Sequence, residues 1–263
     1  MKTCKIVLTG GPCGGKTESL QFIKHELRNK FSPVNFVDET ANSLLTLGYM
    51  PSNNISVFDF QNLLFKIQFL KEYKQESKSK IVICDRGLLD GKVYIDETSF
   101  QKILALNYVK ETEISSTYDT ALYFRSIAHE YPNIFAAKRI YESSEIGVIR
   151  DERCLDIWKN KILPIDYDNN SGFENKKKII FLALIQYLET LDFNELISLS
   201  DYYDSSYINF LLDGINLIME NNNIPDEIKS KTRRLVKWKL YYILKNTSQI
   251  YHMNYLKEKI LFQ

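Results

Sequence analysis

The chain lacks the features on which secreted, membrane-spanning and zinc-binding proteins depend. Its four cysteines are far apart and show no C-x-x-C spacing, so we expect thiols in a reducing cytosol rather than disulfides. No apolar run reaches the roughly 18 residues that a transmembrane helix needs, and we expect no signal peptide because the start runs directly into an apolar strand. The three histidines have no metal-ligand spacing. These absences predict a cytoplasmic protein.

An excess of charge of either sign is also missing. Lys and Arg total 34 against 33 for Asp and Glu, which leaves a net charge of +1. With no overall field, we do not expect nucleic acid or a membrane surface as a partner. The 263 residues, 44% hydrophobic and 25% charged, are typical of a globular protein with one large α/β domain, or one domain and an appendage.

Residues 9–17, T-G-G-P-C-G-G-K-T, are the motif around which the chain is organised. They follow an apolar run at 6–8, precede a segment with helical apolar spacing, and fit the pattern G-x-x-x-x-G-K-[ST]. Glycines let successive N–H groups surround an anion, and the N-terminus of the following helix favours phosphate. The residues predicted to bind nucleotide phosphates are Gly10, Gly11, Pro12, Cys13, Gly14, Gly15, Lys16 and Thr17. Thr17 is also predicted to ligate Mg²⁺.

Strand-like and helix-like segments alternate over the first 190 residues. Strands are predicted at 5–8, 34–37, 80–84 and 120–124, and helices at 18–30, 40–47, 58–76, 100–110, about 151–158 and 173–191. This alternation predicts an α/β fold of the three-layer P-loop type, with a parallel sheet whose ligands bind beyond the carboxyl ends of the strands. We therefore expect a nucleotide-binding domain at 1–191 and a small helical extension at 192–263.

Charged residues follow two of the predicted strands at that same edge of the sheet. Asp85 ends the third strand, where P-loop proteins place the carboxylate that organises Mg²⁺, and Arg86 could hold a phosphate or carboxylate. A structural ion pair between these two is the alternative. Glu39 follows the second strand and is a candidate general base, with Asp38 as an equal alternative and a helix-start charge as the simpler reading.

Further polar residues are weaker candidates. Gln61, on the long predicted helix, could pair with a ring edge through its amide, or could simply be a solvated residue. Four cations after the fourth strand could close over the phosphates as a lid, or form a solvated face: Lys138, Arg139, Arg150 and Arg153. In the extension, the basic stretch 229–239 could meet an acidic partner, although an ordinary amphipathic helix is the favoured interpretation.

Taken together, these motifs resemble the NadR/Ttd14-like P-loop proteins, with nucleoside and nucleotide kinases as more distant relatives. The resemblance covers about residues 3–190 and rests on the segments at 9–17, 37–48, 84–94 (C-D-R-G-L-L-D-G-K-V-Y), 118–124 and 154–158, and on the run from 165 to 176. It implies ATP or GTP and Mg²⁺, phosphates at 10–17, Asp85 and Arg86 at the metal and phosphate, and Glu39 facing the acceptor. It also implies a lid arginine, for which strict spacing gives Glu145 and a local shift gives Arg150.

Two functions follow from this resemblance. The favoured one is a phosphotransferase that moves the γ-phosphoryl group of ATP or GTP to the hydroxyl of a small nucleoside-like acceptor, with Lys16, Glu39, Asp85 and Arg86 as catalytic residues. Some relatives are nicotinamide riboside kinases, and others are GTP- or lipid-binding factors. The alternative, suggested by the basic stretch 229–239, is a nucleotide-dependent switch or adaptor that binds a protein partner through 192–263.

Overall fold

A computed structural model describes residues 3–28, 34–51, 55–139, 142–163 and 172–190. Contacts divide the chain into two units: residues 1–28 together with 33–163, and residues 29–32 together with 164–263. The predicted extension at 192–263, with its basic stretch, lies outside the described residues. The predicted domain boundary at 191 therefore stays a prediction.

The first unit is built on a parallel sheet of four strands, as the alternation predicted. The strands are β1 (Cys4–Thr9), β2 (Val34–Val37), β3 (Ile81–Asp85) and β4 (Thr120–Tyr123), in the order β2-β3-β1-β4. Ile6 pairs with Ile83 of β3 and with Thr120 of β4, so β1 is central. Beyond β4, Ala121 forms a further parallel bridge to Ile162. All six residues of β1 are buried, which explains the apolar run at 6–8 within it.

The helices of the first unit connect these strands. They are α1 (Lys16–Arg28), α2 (Thr40–Thr46), α3 (Val57–Glu76), a 3₁₀ helix (Leu88–Val93), α4 (Glu97–Leu106), α5 (Glu111–Thr117), α6 (Pro132–Lys138) and α7 (Ser144–Trp158). In the second unit, the described residues form α8 (Phe173–Thr190). None of the described helices is long and apolar enough to cross a membrane.

Three helix boundaries differ from the predicted ones for identifiable reasons. α4 begins earlier because Asp96 accepts a hydrogen bond from the Ser99 amide at 2.9 Å, an N-cap. It also ends earlier, since Tyr108 has a φ of 56°, and a separate helix, α5, follows. α7 begins at Ser144 rather than near 151, because the side chain of Ser143 caps the Ile146 amide. The 3₁₀ helix and α6 were not predicted.

A hydrophobic cluster covers the face of the sheet on which Val7 lies. Its members come from the sheet, α3, the 3₁₀ helix, α4, α5 and α7, and include Val7, Phe65, Leu88, Phe100, Ala121 and Trp158. Since strand side chains alternate, Ile6 and Leu8 lie on the opposite face, and both are fully buried. The sheet is thus covered on both sides at its centre, and its carboxyl edge is left to carry the polar residues.

Within this apolar core lies a buried ion pair. Lys5 of β1 has its Nζ 3.0 Å from Oε2 of Glu72 on α3, and their side chains are 5% and 2% exposed. The Tyr118 hydroxyl donates to Glu72 at 2.9 Å, and the Gln68 amide donates to it at 2.8 Å. Burial opposes the charge of Lys5, but Glu72 and Glu76 outweigh burial and raise its pKa. Burial raises the pKa of Glu72, and its donors offset part of that rise.

Candidate active site

A cavity of about 600 Å³ opens at the carboxyl edge of the sheet. It brings together side chains that are far apart in sequence because parallel strands end at one edge. Its lining includes residues 12–18 and, among others, Glu39, Gln61, Arg86, Arg139 and Arg150. Gly10, Gly11 and Asp85 lie behind this lining rather than in it.

The loop between β1 and α1 has a shape that glycine makes possible. Gly10 has a φ of 125° and Gly15 a φ of 87°. A Cβ atom on Gly14 would lie 2.4 Å from the backbone oxygen of Phe124, so no larger residue fits there. Cys13 adopts a φ of 56°, in the left-handed region that a non-glycine residue rarely enters. Backbone amides followed by the N-terminus of α1 make this loop suited to an anion.

Lys16 is the buried cation of the loop. Its Nζ donates to the carbonyl oxygens of Gly11 at 2.6 Å and of Gly10 at 3.1 Å. Burial and the neighbouring Arg86 lower the pKa of Lys16 to about 8. A bound phosphate would compensate this charge far better than two carbonyl groups do, so the environment of Lys16 fits an anionic ligand.

Asp85 and Thr17 form a pair that fits a divalent cation. The Thr17 hydroxyl lies 3.5 Å from Oδ2 of Asp85, and Oδ1 of Asp85 is buried without a hydrogen-bond partner. Burial, followed by the charge of Glu39, raises the pKa of Asp85 to about 6. The described residues hold no group of three or more His, Cys, Asp or Glu side chains that could bind a metal ion by themselves. One carboxylate with one hydroxyl suits Mg²⁺ that takes its remaining ligands from phosphates and water.

Arg86 lies at the centre of the cavity wall with a φ of 72°. Its guanidinium donates to the Gly10 carbonyl at 2.7 Å and lies 3.3 Å from Oδ1 of Asp90 and 3.9 Å from Oε1 of Glu39. Asp90 in turn accepts from the Thr9 hydroxyl at 2.6 Å. The ion pairs found for Arg86 are with Glu39 and Asp90, not with Asp85, so the structural pair between neighbours that was the alternative does not form. Arg86 links the phosphate loop to the second strand.

Of the two carboxylates after β2, Glu39 faces the cavity. Glu39 lines it, accepts from the Asn42 amide at 2.5 Å, and makes no side-chain cap to α2. Asp38 is ion-paired with Lys24, and its side chain is 68% exposed. The geometry therefore separates two residues that the sequence left equivalent, although it does not test the role of either.

Gln68 of α3 holds this part of the site from below, and nothing in the sequence pattern marked it. Its side chain, 1% exposed, accepts from the Thr40 hydroxyl and donates to the backbone oxygen of Arg86 at 3.0 Å. Thr40 follows Glu39 directly, so one amide connects the residue next to Glu39 with the backbone of Arg86. The same amide reaches Glu72, which ties the site to the buried ion pair of the core.

The rest of the wall is apolar and comes mainly from α3. Three apolar side chains line the cavity beside Gln61: Val57, Phe60 and Leu64. Gln61 itself is only 8% exposed, so it is not a solvated helix residue. Tyr94, after the 3₁₀ helix, lines it as well. An amide set among apolar side chains can orient a flat ring with polar edges.

The four cations after β4 do not all lie at the cavity. Arg139 and Arg150 line the cavity, whereas Lys138 does not, and Arg153 donates to the Val93 backbone oxygen at 3.2 Å. Arg150 lies 2.7 Å from Oε1 of Glu142, and its guanidinium carbon lies 4.9 Å from the centre of the Tyr94 ring. Glu145, the position that strict spacing selected for the lid arginine, is exposed in the first turn of α7. Arg150, the position given by the local shift, is the one that lines the cavity.

Comparisons with known proteins agree with this architecture. Residues 5–158 match a family model described as an AAA domain, and no curated protein matches the chain. Thymidylate kinase from Ehrlichia chaffeensis has a TM-score of 0.50 at 16% identity, covering 72% of this chain and 100% of that one. NadR in complex with NAD and AMP-PNP has a TM-score of 0.50 at 15% identity, covering 71% of this chain and 49% of NadR.

A third solved structure, deoxyadenosine kinase from M. mycoides, aligns with a TM-score of 0.47 at 18% identity, covering 71% of this chain and 99% of that one. This chain therefore spans about half of NadR and nearly all of the two kinases. At these identities the likeness shows the fold alone, and the two alignments with a TM-score of 0.50 support it together with the family model. The α/β P-loop fold predicted from the motifs is thereby confirmed.

Proposed function

Because the chain belongs to the AAA domain family, whose model matches residues 5–158, we propose that it is a Mg²⁺-dependent phosphotransferase. In this proposal it binds ATP or GTP at residues 10–17 and transfers the terminal phosphoryl group to the hydroxyl of a small nucleoside-like acceptor. The observation that carries the proposal is the shared cavity, whose lining includes Lys16 and Thr17 together with Glu39, Gln61 and Arg86. The nucleotide that donates the phosphoryl group and the acceptor that receives it can therefore bind in one cavity.

At the donor end, the loop amides and Lys16 bind the phosphates. Lys16 exchanges its two carbonyl partners for phosphate oxygens, which stabilises its charge and raises its lowered pKa. Thr17 and Asp85 would hold Mg²⁺, which supplies positive charge to the phosphate oxygens when bound. This role also accounts for the unpartnered Oδ1 of Asp85.

At the acceptor end, the reaction needs a base and a cation. Glu39 accepts the hydroxyl proton as the acceptor oxygen bonds to phosphorus and the bond from phosphorus to the leaving diphosphate breaks. Arg86 stabilises the charge on the transferred group, because its guanidinium is already fixed by the Gly10 carbonyl and Asp90. Gln61 and the apolar wall of α3 bind the ring of the acceptor. The cytoplasm, where nucleotides are available, remains part of this proposal, and all four cysteines are thiols.

The first experiment is calorimetric titration with ATP and with GTP, each with Mg²⁺, on the wild type and on Lys16→Ala. We expect one nucleotide to bind and the variant to lose it. Binding of neither nucleotide to the wild type would refute the proposal. The nucleotide that binds is then assayed for phosphoryl transfer to a panel of nucleosides that includes nicotinamide riboside.

A matched pair of variants tests the assignment of the base. Glu39→Gln should lower kcat by about 100-fold or more, the usual contribution of a general base. Asp38→Asn is the control, because Asp38 is an exposed neighbour that pairs with Lys24 outside the cavity. The reverse pattern would assign the base to Asp38. The alternative function, a switch with a protein partner at 192–263, concerns residues that are not described and stays a prediction.

A further inference from the structure

Two adjacent residues of α7 lie in opposite environments. The guanidinium of Arg150 lines the cavity, and its side chain is 32% exposed. The next residue, Asp151, is 1% exposed and lies against the phosphate loop. A single turn of helix therefore contacts both the loop backbone and the cavity.

Asp151 is held by three groups from three segments. Its Oδ1 accepts from the Gly11 amide at 2.6 Å, and its Oδ2 accepts from the Tyr123 hydroxyl at 2.6 Å. Nε2 of His129 lies 2.9 Å from the same Oδ2. A buried carboxylate with such short bonds is fixed in place, since loss of any donor would leave charge uncompensated.

The loop is shaped to receive this carboxylate. A Cβ atom on Gly11 would lie 2.5 Å from Oδ1 and 2.6 Å from Cβ of Asp151, so only glycine allows the approach. Gly11 does not have a positive φ, so its backbone conformation does not require glycine. The close contact with Asp151 is what requires it. The contact lies away from the cavity lining, which leaves the loop amides at 13–17 available to phosphate.

We propose that Asp151 is a positioning residue that fastens α7 to the phosphate loop and thereby holds Arg150 against the terminal phosphoryl group of the bound nucleotide. This inference rests on the proposed nucleotide site. In this proposal, α7 does not close over the phosphates as a lid but stays anchored beside them. Arg150 acts on the nucleotide, and Asp151 acts through Arg150. Glu142 and Tyr94 hold the guanidinium from the other side.

The test compares a triphosphate analogue with a diphosphate. Affinities for AMP-PNP and ADP, or for GMP-PNP and GDP if the wild type prefers guanine, are measured calorimetrically with Mg²⁺. Arg150→Gln should weaken binding of the analogue by about tenfold and leave the diphosphate nearly unchanged, as expected for one lost charged contact. Asp151→Ala should show the same selective loss, and the double variant should be no weaker than Arg150→Gln alone.

Three further variants keep the test decisive. Asp151→Asn retains the shape and an oxygen for Gly11, so it should preserve the preference for the analogue. Glu152→Ala, which changes an exposed neighbour on α7, should behave like the wild type. Tyr123→Phe removes one of the three groups that hold Asp151 without changing the loop, and it should reproduce part of the selective loss even if Asp151→Ala does not fold.

Other outcomes would contradict the positioning role of Asp151. If Asp151→Ala and Tyr123→Phe weaken analogue and diphosphate equally, Asp151 only maintains the loop and the positioning role is wrong. Additive effects of Arg150→Gln and Asp151→Ala would also overturn it. In both cases the wild type still binds nucleotide, and the proposed function stands. A wild type that binds neither ligand refutes the nucleotide site and this inference together.

Discussion

Replacing Lys5 by methionine should destabilise the protein strongly, because it leaves Glu72 buried without its cation. Lys5 and Glu72 are 3.0 Å apart, with side chains 5% and 2% exposed. Removing one member of such a pair costs about 3–5 kcal/mol. In a domain of this size each kcal/mol lowers Tm by about 2–4 °C, so we expect a fall of about 6–20 °C. Urea denaturation followed by circular dichroism measures the loss of free energy.

The pH dependence of that loss identifies its cause. Burial raises the pKa of Glu72, and removal of Lys5 raises it further. An acid whose pKa is higher in the folded state stabilises the fold at low pH and ceases to do so as pH rises through that pKa. The deficit of Lys5→Met should therefore be larger at pH 8 than at pH 5. Adding Glu72→Gln should recover part of it.

A surface pair provides the control. Lys159→Met removes the cation that pairs with Asp156, and because their side chains are 63% and 77% exposed it should destabilise the protein far less than Lys5→Met. If Lys5→Met is no worse than Lys159→Met, or if its deficit is the same at both pH values, the buried pair does not support the fold.

Three shorter predictions concern the site. Gly14→Ala should abolish nucleotide binding, since its Cβ would lie 2.4 Å from a backbone oxygen. Gly48→Ala meets no atom within 4 Å, so although the φ of 86° at this position strains the alanine, the folded variant should bind nucleotide normally. Asp85→Asn should remove Mg²⁺-dependent binding in titrations. In EDTA at pH 8 the same variant should be about 3 kcal/mol more stable than the wild type in urea denaturation, because the pKa of Asp85 rises from 3.8 to about 6 on folding. Below pH 4 this gain should vanish, since Asp85 of the wild type is then protonated. Thr40→Val should lower kcat about tenfold and leave nucleotide affinity unchanged, because it removes the hydrogen bond to Gln68. Thr40→Ser keeps that bond and should leave kcat unchanged. If the two variants have equal effects, the bond does not position the site.

The elements that sequence reasoning located best are those with a strong local signal. β2 was predicted at 34–37 and is found at Val34–Val37, and α3 begins one residue before its predicted start. Parallel strands are short continuous apolar runs, and long helices repeat their apolar spacing, so both can be recognised without knowing what they pack against. Since the strands are parallel, the residues that follow them could also be assigned to one edge of the sheet.

The residues that sequence reasoning missed are those whose contacts are distant in the chain. Asp151 binds the amide of Gly11, and Gln68 joins Thr40 to the backbone of Arg86. Their own neighbours in sequence resemble any polar helix surface, and only the fold brings their partners to them. Asp90 was within the quoted D-R-G-L-L-D-G segment, four residues after Arg86, and that spacing was the available signal.

Short helices were missed for a related reason. α5 and α6 each have seven residues, which gives a periodic pattern little length in which to stand out, although α2, equally short, was predicted at 40–47. Pro132, at the first turn of α6, is a helix-start residue and could have indicated it. Conversely, the choice between Asp38 and Glu39 depends on which way each side chain points after the strand ends, and no pattern in one sequence carries that information.

The central position of β1 has a consequence for synthesis on the ribosome. Cys4 pairs with Ile81, and Ile6 pairs with Thr120, so both neighbours of β1 are translated long after it. Since translation proceeds at about 5–20 residues per second, several seconds pass between the synthesis of β1 and that of its partner strands. During that time its backbone and both of its faces lack their native cover, which is the state that chaperones recognise and that aggregates when they are absent. Yield on expression should therefore depend more on chaperone supply and low temperature than on the stability of the finished fold.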